Sequence, residues 1–166
     1  MIHDNVQTDI RQKGLQAQWL DSFKVEHYPD PAKHDSKIYL YKERLQCALK
    51  KNAEWIRYHW FLGYMHYIDG NFDDAIKLLE KVIVSTSELF PVEQLNSAMV
   101  LITIYAKLNH KSKTFNTLKK SFELFDRNQD DFEVKINTRI LPWLHEAKKR
   151  ITNNELHLIK IYKFAK

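Results

Sequence analysis

Between Trp55 and Val84 the apolar side chains recur at steps of three and four on either side of a polar turn, Asp69, Gly70 and Asn71. That pattern predicts two amphipathic helices, over 55–68 and 73–84. Leu62, Gly63 and Tyr67 share one side of the first helix, and Ala75, Leu79 and Val82 share one side of the second. Gly70 suits the left-handed conformation that ends a helix, Asn71 can cap the next one, and Asp73 and Asp74 fall in its first turn, where the helix dipole favours anions.

The same periodicity extends in both directions. Ile38, Tyr41, Leu45, Ala48 and Leu49 predict a helix over 35–50 that closes on Lys50 and Lys51, cations suited to the negative end of the dipole. Upstream, Val6, Ile10, Leu15, Trp19, Leu20 and Phe23 give a looser helical stripe over 4–23, interrupted by Gly14. The run Tyr28, Pro29, Asp30, Pro31 then forbids regular helix, because each proline pushes the residue before it out of the α region. Downstream of Arg127, the residues Phe132, Val134, Ile136, Ile140, Leu141, Trp143 and Leu144 continue the pattern, with Pro142 either kinking that helix or starting a new one. A last helix is expected over 154–164, carrying Leu156, Ile159, Ile161, Tyr162 and Phe164.

The unit built by Leu62, Gly63, Tyr67, Ala75, Leu79 and Val82 resembles a tetratricopeptide repeat, a helix-turn-helix of about 34 residues. Tyr41, Leu45 and Ala48 stand 34 positions before Ala75, Leu79 and Val82, and so resemble the second half of a degenerate preceding repeat. A second copy aligns at a constant offset of 39, with Leu101 on Leu62, Tyr105 on His66, Asn109 on Gly70, Thr114 on Ala75, Leu118 on Leu79 and Ser121 on Val82. It departs from the family pattern where Ile102 and Thr114 replace the small Gly63 and Ala75. The resemblance implies an all-α chain of antiparallel helix-turn-helix repeats stacked as a short right-handed solenoid with helical caps. On that reading 1–166 is one domain, with the half-repeat over 35–55, the best repeat over 56–89, the second over 95–128 and capping helices over 129–166. Such caps cover the apolar face that a terminal repeat leaves open.

Composition agrees with helix. With 166 residues, 44% of them hydrophobic, the chain can bury one core, and three glycines and four prolines are too few for a hairpin-rich fold. The lone Cys47 allows no intramolecular disulfide, no apolar run reaches the roughly 18 residues of a membrane span, and Met1, Ile2, His3, Asp4 lack the order of a secretory signal. A cytoplasmic protein is the expectation. The net charge of +5 is local: Arg139, Lys148, Lys149, Arg150, Lys160, Lys163 and Lys166, set against Glu146 and Glu155, hold the whole excess.

No residue pattern points to a reaction. His59 and His66 lie seven apart rather than the four at which one metal ion reaches two helical histidines, and the sequence holds no H-E-x-x-H, C-x-x-C, EF-hand loop or G-x-S-x-G. Gly14, Gly63 and Gly70 are too scattered to cradle a phosphate. Cys47, beside Leu45 and Leu49, reads as a small buried hydrophobe. The expectation is a non-enzymatic protein with no metal and no cofactor.

The dense aromatic run from Trp55 to Tyr67 exceeds what one helix face can bury. In the tetratricopeptide family the first helix of each repeat lines a concave groove. The resemblance maps the groove positions onto Arg57, Trp60, Phe61, Tyr64 and Tyr67, and in the second copy onto Asn96, Met99, Val100, Thr103 and Ala106. An exposed aromatic and methionine surface rimmed by an arginine fits docking of an apolar or amphipathic peptide or helix from another protein. The opposite reading is that the helix over 6–23 lies across this surface and buries it. One subclass of the family clamps C-terminal carboxylates with Lys, Asn and Arg, but Tyr64 and Thr103 stand where its asparagines are needed, so that clamp is not supported. Two alternatives remain. Lys148, Lys149, Arg150, Lys160 and Lys163 could hold nucleic acid or another anionic surface, though no recognised nucleic-acid motif accompanies them. An uncapped end of the stack could pair with a second copy of the chain.

Overall fold

A computed structural model describes residues 34–86 and 89–161, with backbone only for 34–38. The chain divides into two units, Met1–Asp35 and Ser36–Lys166, and every described residue beyond Asp35 belongs to the second. The helix expected over 4–23 and the proline break after Tyr28 lie outside the described residues. Those residues form seven α-helices and one 3₁₀ turn, with no strand among them. The helices are α1 (His34–Lys51), α2 (Ile56–Ile68), α3 (Phe72–Val84), α4 (Pro91–Lys107), α5 (Lys111–Asn128), α6 (Phe132–Ile136) and α7 (Ile140–Thr152), and the 3₁₀ turn is Leu156–Leu158.

Helix α1 ends on Lys50 and Lys51, as its sequence suggests, but it buries less than its stripe implies. Leu45 is buried, whereas Tyr39, Leu40 and Tyr41 are exposed. Cys47 is exposed as well, which corrects its reading as a core residue. It lies two positions from Leu45, about 200° around the helix, and so faces away from the buried stripe.

Helix α2 packs against α3 through its one glycine, and α3 is the more strongly amphipathic, burying Ala75, Leu79, Val82 and Ile83 on a single face. Asp73 and Asp74 occupy the first turn of α3, although the side chain of Asn71 at the N-cap makes no capping hydrogen bond. Helix α4 starts on Pro91, whose missing N–H would have had no helical acceptor, and is buried on every side from Glu93 to Ala106. Ala98, Leu101 and Tyr105 join Trp60, Leu79 and Val82 in one core. Leu95, Met99, Ile102 and Ala106, on another face of α4, join Leu118, Val134, Ile140 and Leu144 in a second. One helix therefore separates and serves two cores.

The turn between α2 and α3 recurs bond for bond between α4 and α5. Asp69, Gly70 and Asn71 donate backbone hydrogen bonds to Met65, Tyr67 and His66 at 3.1, 3.1 and 2.9 Å. Thirty-nine residues on, Leu108, Asn109 and His110 donate to Ile104, Ala106 and Tyr105 at 2.9, 3.1 and 2.8 Å. Gly70 and Asn109 hold the left-handed conformation this closure needs, at φ 78° and 56°. A third instance ends α7, where Asn153, Asn154 and Glu155 donate to Lys149, Ile151 and Arg150 at 3.0, 3.1 and 2.8 Å, with Asn154 at φ 58°.

Thr114 and Ser121 occupy fully buried positions on α5 that correspond to Ala75 and Val82 on α3. Their hydroxyls donate to carbonyls of their own chain, Thr114 to His110 at 2.9 Å and Ser121 to Leu118 at 2.6 Å, so the polar groups are satisfied without a partner from another helix.

The C-terminal part differs from its expected form. Helix does not run through from Phe132 to Leu144. Asp131 starts the short α6 by accepting hydrogen bonds from the backbone N–H of Glu133 and Val134 at 2.9 and 3.2 Å, and the chain turns again before α7. Pro142 sits in the first turn of α7, where its missing N–H breaks no helical bond, so it belongs to the start of a new helix. No α-helix begins at Asn154: the left-handed turn there is followed by the 3₁₀ turn and then by non-helical chain to Ile161. The Trp143 indole N–H donates to the carbonyl of Lys160 at 2.9 Å and ties this last stretch to α7. The helical cap expected over 129–166 thus consists, within the described residues, of α6, α7 and an irregular strap.

Candidate functional site

Residues four and three apart on α2 stack their rings along the helix. Trp60 and Tyr64 have centroids 5.2 Å apart, Tyr64 and Tyr67 6.1 Å, and Phe72 at the start of α3 extends the ladder at 6.3 Å from Tyr67. Trp60 is buried, and Phe61, Tyr64 and Tyr67 are half-buried. Burial, and secondarily the neighbouring Tyr64, holds the Tyr67 hydroxyl above the usual tyrosine range, so it stays protonated through the neutral range.

Arg57 lies one turn before this ladder and bridges α2 and α4. Its Nε lies 2.9 Å from Oε1 of Glu93, and its guanidinium carbon lies 5.7 Å from the Phe61 ring centroid and 5.6 Å from that of Phe90. Trp55 meets Phe90 edge-on at 5.4 Å from the other side. Burial pushes the Glu93 carboxyl up, against the opposing pull of Arg57. Its second oxygen, Oε2, is buried with no hydrogen-bond partner, as are Asn96 Oδ1 and Ser97 Oγ within the next turn of α4. Sequence reasoning named Asn96 only as a groove position and missed Glu93 and Ser97. The available signal was a cluster of polar residues, Glu93 to Ser97, opening an otherwise apolar helix.

Of the ten positions mapped onto an exposed groove, the structure brings Arg57, Phe61, Tyr64 and Tyr67 to or near the surface of α2. It buries the other six, Asn96, Val100 and Ala106 among them. Met99 is completely buried in the second core with Val134, Ile140 and Leu144, because α6 and α7 pack onto that side of α4. Thr103 is buried and donates its hydroxyl to the Met99 carbonyl at 2.9 Å. Trp60, 5% exposed, belongs to the first core. All six are corrected from surface contacts to buried positions.

The two histidines of α2 are not brought to a common centre. His59 donates from Nε2 to the carbonyl of Ala53 at 2.6 Å, and His66 lies two turns away near Lys42 and Asp74. Among the described residues no three His, Cys, Asp or Glu side chains gather as metal ligands.

The basic residues are dispersed too. Arg150 is held by Glu146 at 2.7 Å and Glu155 at 2.9 Å, and its charge is neutralised locally. Lys148 lies over the Phe122 ring at 5.8 Å, Lys149 is exposed on α7, Lys160 belongs to the strap, and Lys163 is outside the described residues. No helix among those described is long and apolar enough to cross a membrane. Comparison with protein-family models, curated proteins and solved structures finds no match to the chain.

Proposed function

We propose that this chain is a short helical-repeat interaction module of the tetratricopeptide kind, non-enzymatic, which docks an apolar or amphipathic segment of another protein. The observation that carries this reading is the recurrence of one turn. The backbone bonds from Asn71 to His66, His110 to Tyr105 and Glu155 to Arg150 close three helices in the same way, and the buried positions of α3 recur on α5 at the same 39-residue offset. Such modules bind through the first helix of each unit, and of the two such helices, α2 and α4, only α2 keeps a row of side chains at the surface. Its half-buried rings, Phe61, Tyr64 and Tyr67, offer apolar contact at low cost in side-chain entropy, and Arg57 adds a directional cation at the edge. Trp60 anchors that helix in the first core.

Photo-crosslinking in the native host tests the reading. A benzoylphenylalanine at position 61 or 64 is expected to give one discrete adduct with another protein, and the same residue at Phe132, an exposed position on α6, is expected to give none. Adducts at all three positions, no adduct at any, or a crosslink back to the chain's own first 33 residues would overturn it.

A further inference from the structure

A cleft of about 740 Å³ opens where the end of α2, the turn between α4 and α5, and the C-terminal strap converge. Its size lies within the range of small-molecule sites, roughly 300–1,000 Å³. Lys107, Lys111 and Lys160 line it together with His157, and among the described residues no Asp or Glu does. The acids nearest in sequence are committed elsewhere, Asp69 to Lys42 and Glu155 to Arg150. Three lysines thus line one concavity, with no carboxylate in its walls among the described residues.

Helix dipoles do not account for all three lysines. Lys107 ends α4, where a cation is favourable, and its ammonium sits 4.7 Å from the Phe72 ring centroid. Lys111 opens α5, where the dipole is positive, the first turn holds no acid and no side chain caps the helix. Lys160 belongs to no helix, and Trp143 fixes its backbone at the cleft. Placing these two cations beside Lys107 costs repulsion that a bound anion would remove. The rest of the wall is apolar or neutral: Tyr67, whose hydroxyl stays protonated, and Leu156, Ile159 and Ile161. We propose that this cleft binds a phosphorylated small molecule, with its phosphates toward Lys107, Lys111 and Lys160 and its organic body against Tyr67 and the apolar strap.

Inorganic pyrophosphate is the probe, titrated calorimetrically into the full chain at low salt. Saturable one-to-one binding is expected, weakened at least tenfold when Lys107, Lys111 and Lys160 are all replaced by Gln, and changed less than twofold when Lys148 and Lys149 are. All five lysines are exposed, so both variants should keep the wild-type helical circular dichroism. On the unmodified chain, pyrophosphate should shift the backbone amide resonances of Lys107, Asn109, Lys111 and Lys160 and leave those of Lys148 and Lys149 in place. No saturable binding, equal weakening in the two variants, or shifts spread evenly over all the lysines would overturn the proposal. The docking surface on α2 is tested separately, and neither result decides the other.

Discussion

A β-carbon at Gly63 would lie 2.8 Å from both Cγ and Cδ2 of Leu79, a fully buried side chain on the facing helix. The backbones of α2 and α3 therefore approach each other at a spacing that only glycine permits. Gly63→Ala is expected to destabilise the fold by about 1–3 kcal/mol, the cost of overpacking, despite the better helix propensity of alanine. Leu79→Ala alone should cost about 2–5 kcal/mol through its cavity. The two changes together should cost less than their sum by at least 0.5 kcal/mol on this scale, since each relieves the other. Urea unfolding of the four proteins measures the coupling, and strict additivity would show that the contact is not a constraint.

Position 70 and position 109 pose the same backbone demand and answer it with different residues. At Gly70 nothing lies within 4 Å of an added β-carbon, so Gly70→Ala isolates the cost of a left-handed φ, about 1 kcal/mol or somewhat more. At Asn109 and Asn154, where φ is 56° and 58°, replacement by Gly should leave stability unchanged or raise it, whereas replacement by Ala should lower it by about 1 kcal/mol. Melting temperatures ordered Gly, Asn, Ala at both positions are the expected result; alanine melting highest at either would refute the conformational argument.

Burial lowers the pKa of His66, and Lys42 adds to this against the opposing effect of Asp74. The folded state therefore takes up the His66 proton at lower pH than the unfolded chain, whose value is near 6.5. The contribution to stability is complete above that pH and is lost as pH falls from about 6.5 toward the folded value. Between pH 7.5 and 5.5 the wild type should lose more stability than His66→Gln. Denaturant midpoints at the two values give the comparison, and parallel losses would assign the effect to other groups.

How far the sequence alone carries depends on the element. The pairs α2 with α3 and α4 with α5 are legible because their signals are local: apolar steps of three and four, Gly70 at a helix end, Pro91 at a helix start. Asn154 carried a signal as well. It follows Lys149 and Arg150, as a left-handed asparagine after a basic last turn should, yet the apolar residues beyond it invite a helix that is absent. The burial of Met99 was not legible, since it depends on α6 and α7 returning to α4 from more than 30 residues away. Lys107 and Lys111 escaped for the same reason, and Lys160 was legible only as one of the terminal basic residues. Lys107 and Lys111 lie on different helices across a turn, and only the strap held by Trp143 brings Lys160 to them.

Helix α4 has no face left for solvent between Glu93 and Ala106, and it forms a wall of both cores. Neither half of the described chain owns a complete interior. Cutting the protein on either side of α4 would strip one set of side chains of its lid, so the boundary between the two resembling units is not a place where the chain can be divided into independent modules. Two units that look modular in sequence are therefore expected to unfold together, since they share this helix.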